Sequence, residues 1–323
     1  MITSEQIKRA AKAFGADIVS IGTTDRLDGA PLQMDIRTAM PTAKSIIAMG
    51  FRHYRGLFRG IEEGTFFTAY SAMGYAGINY VQQPLVLWQV GKLLEDEGYD
   101  ALPVPNNFPF GNSDASGQDP ERTGKMQPGR SRPVSPDKPA PDVYPQLRIA
   151  AFAAGLGEIG YSKMFLSREF GPRQRIALLL TDAPLDPDPL MPCGTLCDRC
   201  MDCVKACTAG AIPKHKTVKI TVAGQQVEWA DIDMKRCSTG FCGGNPRNNP
   251  FAVTDEDKAG FAQDVGKAQE YKLKSMYFYA RALEGAAGCI RACMIHLESQ
   301  GKLKNTFTKP FRQGKPWRLE AAV

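Results

Sequence analysis

The sequence predicts a mixed α/β fold in two parts, residues 1–185 and 186–300, closed by a tail at 301–323. Three observations predict it. The chain has 323 residues, which at roughly 150 per domain points to two units. Amphipathic helical patterns alternate with short apolar runs. All nine cysteines fall after residue 192, so the two parts differ in chemistry.

The elements follow in order. Thr3 or Ser4 caps a first helix that Gly15 ends. Ala16 to Gly22 and Lys44 to Gly50 read as strands. Tyr70 to Glu97 reads as helical, interrupted near Pro84 and stopped by Gly98. Its second half carries Leu87, Trp88, Val90 and Leu94 at helical spacing, a core face. Residues 105 to 143 are crowded with Pro, Gly, Asn, Ser and Asp. A loop this long within a compact domain reads as a functional lid or a disordered linker, and the lid is preferred because both flanking segments look like parts of one domain. A helix at Pro145 to Ala154 and a strand at Arg175 to Thr181 come next. Pro184, Pro187, Pro189 and Pro192 mark the boundary between the parts. Val218 to Glu228 reads as a hairpin turning at Ala223-Gly224, and 258 to 298 as helical. The last twenty residues, with Trp317, either dock or fray. No repeat at solenoid spacing is present.

Composition excludes several classes. Hydrophobic residues make up 43% and charged residues 23%, the balance of a globular chain with a core. The net charge of +6 is spread along the chain, which disfavours a nucleic-acid partner. No apolar run is long enough to span a membrane. The N-terminus MITSEQIKRAAKAFG has no apolar leader region, so the expectation is a cytoplasmic protein. In that reducing compartment clustered cysteines read as metal ligands, not as disulfides.

Cys197, Cys200, Cys203 and Cys207 have the C-x2-C-x2-C-x3-C spacing of bacterial ferredoxins. Three nearby thiolates wrap three corners of a [4Fe–4S] cube, and the fourth cysteine serves a second cube. A zinc site would use two separated pairs. The partner ligands are Cys289 and Cys293 on a helix and Cys237 and Cys242 in RCSTGFCGGNP. Cluster one is assigned Cys197, Cys200, Cys203 and Cys293; cluster two is assigned Cys207, Cys237, Cys242 and Cys289. Cys193 is left over, and Cys193 and Cys242 are interchangeable as the eighth ligand. Thr208 and Met294 stand where ferredoxins carry proline. Two clusters make a one-electron wire, and the cysteine-free front is where it ends, at a cofactor or substrate. No fused flavin reductase module is read, so the electrons come from an external low-potential ferredoxin or flavodoxin.

Gly155, Gly157 and Gly160 match G-x-G-x-x-G, with Asp182 at a ribose-binding distance. The preceding LRIAAFAA is helix-like and not a β-branched strand, which argues against a dinucleotide site. Two readings stay open: close backbone approach to another flat cofactor, or a tight helix-to-strand turn.

The block AAFAAGLGEIGYSKMFLSREFGPRQRIALLLTDAPLDPDP, followed by CGTLCDRCMDCVKACTAGAI, resembles the reductive dehalogenase and epoxyqueuosine reductase family. The resemblance is specific over 145–213, looser before that, and partial over 237–293. It implies a degenerate nitroreductase-like front domain and a ferredoxin-like rear domain with two [4Fe–4S] clusters. A base-off corrinoid (cobalamin) would lie between them, with Gly155, Gly157, Gly160 and Tyr161 as cofactor-binding candidates. The implied chemistry is reduction by cobalt(I), with a nearby acid giving the proton. Candidates for that acid and its supporting charges are Asp142, Tyr144, Lys163 and Arg175, with Arg173 beside them. His296 reads as a solvated helix residue or a support for a ligand.

The chain departs from the family pattern in places. Ala286 stands where the second motif's first cysteine belongs. Asp142-Val-Tyr144-Pro145, RCSTGF and Tyr161-Ser162-Lys163 differ from the tRNA-reducing branch. The expectation is therefore reductive dehalogenation of a small organic substrate. The alternatives are epoxyqueuosine-type reduction on tRNA and a two-cluster electron carrier without corrinoid. No C-terminal helical repeat that would hold RNA is read, and a homodimer is left open.

Overall fold

A computed structural model describes residues 2–29, 35–106, 133–139, 143, 146–241 and 288–314. Most of the expected lid at 105–143 and of the expected helix at 258–298 lies outside them, as do Asp142, Tyr144 and Cys242. Among the described residues no helix is long and apolar enough to cross a membrane.

Helix α1 (Ser4–Phe14) starts at a capping box, in which Thr3 and Gln6 exchange side-chain and backbone bonds. Such a cap is worth about 1 kcal/mol. Gly15 ends the helix at φ +124°, where its N–H reaches two helix carbonyls. The chain then enters a four-stranded sheet ordered β1 (Ile18–Thr23), β2 (Ser45–Arg52), β6 (Gln174–Thr181), β3 (Ala101–Val104). All neighbours are antiparallel.

Both faces of the sheet are covered. On β2, Ile46 and Ala48 face one core while Ile47 and Met49 face the other; on β6, Leu178 and Leu180 alternate in the same way with Ala177 and Leu179. Period-two alternation with both sides apolar is why these strands read as unbroken hydrophobic runs. Helix α1 and helix α3 (Gln83–Asp96) cover one face through Ile7, Ala11, Val86, Val90 and Leu94. Helix α4 (Leu147–Ala153) and the hairpin β7 (Thr217–Val222)–β8 (Gln225–Ala230) cover the other. The hairpin turns at Ala223 and Gly224, both at positive φ, which suits the right-handed twist of the strands. Trp88, expected in the α3 core stripe, is instead 69% exposed. At 100° per residue it lies one step round from Leu87, which is enough to turn it to solvent.

Ahead of α3, Tyr70–Gln82 forms a π-helix, which becomes α-helical where Pro84 can sit in the first turn without an N–H. A short helix α2 (Arg59–Glu63) precedes it. Beyond the sheet come the small ladder β4 (Glu158–Ile159)–β5 (Phe165–Leu166) and helices α5 (Asp202–Lys205), α6 (Met234–Phe241) and α7 (Cys289–Ser299).

The proline-rich boundary is strapped down. Asp188 exchanges backbone and carboxylate bonds with Ile21 of β1 and pairs with Lys8 at 2.8 Å. Every apolar cluster that holds a residue beyond 186 also holds one before it. The division at 185/186 is thus one of composition, while in packing the two parts share cores. The described part of the tail docks: the Phe307 ring centre lies 4.3 Å from the Arg55 guanidinium, and Phe311 joins Phe58, Ile61 and Met294. The buried Glu62 ties this region together through Arg59, Arg291 and Arg312. Trp317 lies outside the described residues.

Candidate metal centre

Cys197, Cys200, Cys203 and Cys293 line one cavity, with Tyr161, Leu166, Leu196, Met201 and Leu297 around them. Cys197 and Cys200 come from the loop leading into α5, Cys203 from α5 itself and Cys293 from α7. Tight chain reversals place them: Arg199 and Met201, the residues flanking Cys200, both adopt positive φ. The backbone curls round the site instead of running past it. The thiols feel one another. Burial pushes the Cys293 thiol far up, and Cys197, Cys203 and Cys200 push it further. Burial, then Cys197 and Cys200, push Cys203 up to about 11. Cys203 and Cys293, held neutral by burial and by their neighbours, belong to a donor set whose ionisation a polynuclear cation would favour. The residues fit a [4Fe–4S] cluster, and the all-sulfur donors come from four points on two segments.

Cys193 is outside this wall. It is exposed, and its thiol is raised by partial burial and then by Glu158, with no other cysteine contributing.

The second set is placed in part. Cys207 and Cys289 pack on one apolar cluster with Tyr161, Cys203, Ile212 and Ala230. The Ala211 N–H donates to Cys207 Sγ at 3.4 Å. Cys237 lies on α6, whose last residue Phe241 shares an apolar cluster with Cys289. All eight described cysteines are free thiols.

A clamp joins the two segments that carry the first set. His296, one turn after Cys293, faces the Asp198 carboxylate at 2.9 Å and 3.0 Å. Gln300 and Lys302 reach the same carboxylate. Burial acts to raise Asp198, but hydrogen bonds from His296 and Gln300 outweigh it and hold the carboxyl well below its usual range. His296 is therefore not the solvated helix residue of the sequence reading. Its partner sits 98 positions away, a pairing no local pattern reveals.

The glycine block belongs to this wall. A Cβ on Gly155, at φ +83°, would meet the Pro189 carbonyl, and one on Gly157 would overlap the Leu166 carbonyl. At Gly160 the nearest atoms are also those of Leu166. The space these glycines leave is filled by the chain's own atoms, backbone at Gly155 and Gly157 and the Leu166 side chain at Gly160, which is the tight-turn alternative. Tyr161 donates its N–H to Cys197 Sγ at 3.3 Å, and its hydroxyl lies against the carbonyls of Pro213 and Lys214. The cradle read for a corrinoid is thus closed at these four positions, and they do not fit that group.

A second polar site lies where β6 meets the π-helix. The Arg175 guanidinium sits 4.0 Å over the Tyr75 ring, and its Nε donates to Asn79 Oδ1 at 3.1 Å. Tyr70 is fully buried, edge-on to Tyr75 and His53. Burial, then Tyr75, raise its hydroxyl well above the ordinary value, and Cys289 adds to the rise. Burial and then the Arg175 charge push His53 down to about 3. Cys289 therefore stands between the thiols and the tyrosines.

Of the four acid and charge candidates, Arg175 is in this site. Lys163 faces elsewhere, its ammonium 5.5 Å over Trp229 of the hairpin. Arg173 is buried and structural, bonded to the His53 carbonyl and to Asn305 of the tail. Asp142 and Tyr144 lie outside the described residues. Tyr70, Tyr75 and Asn79 escaped the sequence reading because they scatter round an α-helix. A π-helix, with i→i+5 bonding, aligns residues roughly four to five apart on one face.

Comparison with known proteins follows the same line. Tetrachloroethene reductive dehalogenases from Desulfitobacterium hafniense and Dehalobacter restrictus are each 34% identical over 118 residues. That stretch is 33% of this chain and 21% of each relative. This chain is similar to the reductive dehalogenases. It matches only about a fifth of the length of those dehalogenases. Among solved structures, a reductive dehalogenase aligns over 99% of this chain and 41% of its own, at 16% identity and a TM-score of 0.52. The fold is therefore shared with a reductive dehalogenase. No protein-family profile matches the chain.

Proposed function

We propose that this chain is an iron–sulfur oxidoreductase that passes electrons through two [4Fe–4S] clusters to the tyrosine–arginine site, where a small organic halide is reduced. The observation that carries this reading is the convergence of Cys197, Cys200, Cys203 and Cys293 on one cavity. The names of the sequence relatives favour halide reduction ahead of reduction on tRNA.

The net reaction takes two electrons and one proton: the carbon–halogen bond breaks, a carbon–hydrogen bond forms, and halide leaves. The electrons enter singly from an external low-potential donor such as a reduced ferredoxin or flavodoxin. Cluster one takes Cys197, Cys200, Cys203 and Cys293; cluster two takes Cys207, Cys237, Cys289 and Cys242. Helix α7 serves both, because Cys289 and Cys293 are four residues apart on one face. Tyr75 is the proton source, with Arg175 over its ring and Tyr70 behind it.

The family resemblance adds a cobalamin as the final reductant. The glycine block does not fit it, so no residue is assigned to that group and no step here runs through it.

The test is anaerobic reconstitution with iron and sulfide, with and without cobalamin, followed by halide release from tetrachloroethene or a bromophenol under a low-potential reductant. Stoichiometric halide and dehalogenated product support the proposal. A chain loaded with both clusters that releases no halide under any of these conditions contradicts it.

A further inference from the structure

We infer that Glu158 is a positioning residue for cluster one: its carboxylate orders the loop that presents Cys197 and holds that cluster at low reduction potential. The inference rests on the iron–sulfur reading of the thiol cavity.

Glu158 lies on β4 and is 1% exposed. Its Oε2 accepts the Gly194 N–H at 2.6 Å. Its Oε1 accepts the N–H groups of Leu196 and of Cys197, the latter at 2.8 Å. Among the described residues no lysine or arginine pairs with it. A buried carboxylate is costly unless its charge is matched, and here the match comes entirely from backbone N–H dipoles of one loop. The carboxylate thereby fixes the turn that ends in the first thiol ligand, before any metal arrives.

The same arrangement has an electrical consequence. A reduced cluster carries one more negative charge than an oxidised one. A fixed carboxylate bonded to a ligand's own N–H disfavours that added electron, and low-dielectric surroundings enlarge the effect. The three N–H groups are also engaged by oxygen and so would not be free to donate to cluster sulfur, where such donors would raise the potential. Tyr161, three residues along from Glu158, supplies the opposing contact, its N–H to Cys197 Sγ. The segment beginning at β4 thus carries one group that lowers the potential and one that raises it, both acting at Cys197. A cluster kept strongly reducing suits a chain that must drive electrons onto a carbon–halogen bond.

The experiment compares wild-type, E158Q and E158D in the full chain, reconstituted anaerobically. Iron is quantified, and both clusters are titrated by EPR-monitored potentiometry. Glutamine keeps the shape and removes the charge. The cluster-one midpoint should rise enough to change the reduced-to-oxidised ratio about tenfold at a fixed potential, ~59 mV for one electron. Cluster two should stay in place, and E158D, which keeps the charge, should stay near wild type. A fully loaded E158Q with an unchanged cluster-one midpoint, or with both midpoints moved equally, overturns the inference. If E158Q does not load cluster one, E158D decides: loading there supports the inference, and failure there overturns it. A wild-type chain that takes up no iron would instead sink the iron–sulfur reading itself.

Discussion

The thiol cavity and the tyrosine–arginine site are built in opposite ways. The cavity takes three of its four sulfurs from seven consecutive residues, 197 to 203, and borrows the fourth from α7. The tyrosine–arginine site takes its parts from the loop after β2, the π-helix and the start of β6, at residues 53, 70–79 and 175. Local chemistry forces the first: thiolates at x2 spacing can do little else than wrap a metal. Only tertiary structure assembles the second. One region announces itself in the sequence, and the other depends on an unusual helix register.

That contrast can be broken experimentally. The largest effect is expected for Cys203→Ala. Iron should fall from about eight to about four per chain, with halide release lost, because one cube has lost a corner ligand. Retention of all eight irons would detach Cys203 from the cavity assignment. Next is Tyr75→Phe, which should lower the halide-release rate by about 10²–10⁴ while leaving iron content unchanged. If Y75F also emptied the clusters, the two regions would be one structural unit instead of wire and terminus.

A third prediction concerns pH. His53 is pushed down to about 3 by burial and Arg175, from an ordinary value of 6.5. Its folded-state affinity for protons is depressed, so the unfolded chain binds a proton that the folded chain refuses. Stability tied to His53 is whole above pH 6.5 and declines as pH falls toward 3, by about 1.4 kcal/mol per unit. His53→Phe should flatten the urea-denaturation midpoint between pH 6.5 and 4.5 relative to wild type. An unchanged slope would mean that the site is wetter than its packing implies. The smallest effect is expected for His296→Gln. The Asp198 partner is partly exposed, so the loss should be less than about 1 kcal/mol, read as a small drop in Tm with iron retained.

Much of the fold was legible in the sequence. The Thr3 cap and Gly15 stop, the strands around 18–23 and 45–52, and the hairpin turn at Ala223-Gly224 each follow from local rules. The runs on β2 and β6 told of burial but not of direction, since any strand covered on both faces reads alike. Strand β3, only four residues with a proline among them, gave no pattern to find. In the candidate site, the cysteine spacing singles out Cys197, Cys200 and Cys203, which line one cavity with Cys293 and without Cys193. For the glycines both readings stay open in the sequence, because it cannot tell close approach to a ligand from close approach to Pro189 or Leu166. Glu158 and Asp198 were invisible: each works through partners about 40 to 100 positions away.

The central claim is that these thiols gather round iron and sulfide. Iron, acid-labile sulfide, zinc and cobalt should therefore be quantified together on anaerobically purified wild-type chain. About eight irons and eight sulfides per chain are expected, whatever the cobalt. One zinc per chain without sulfide would contradict it.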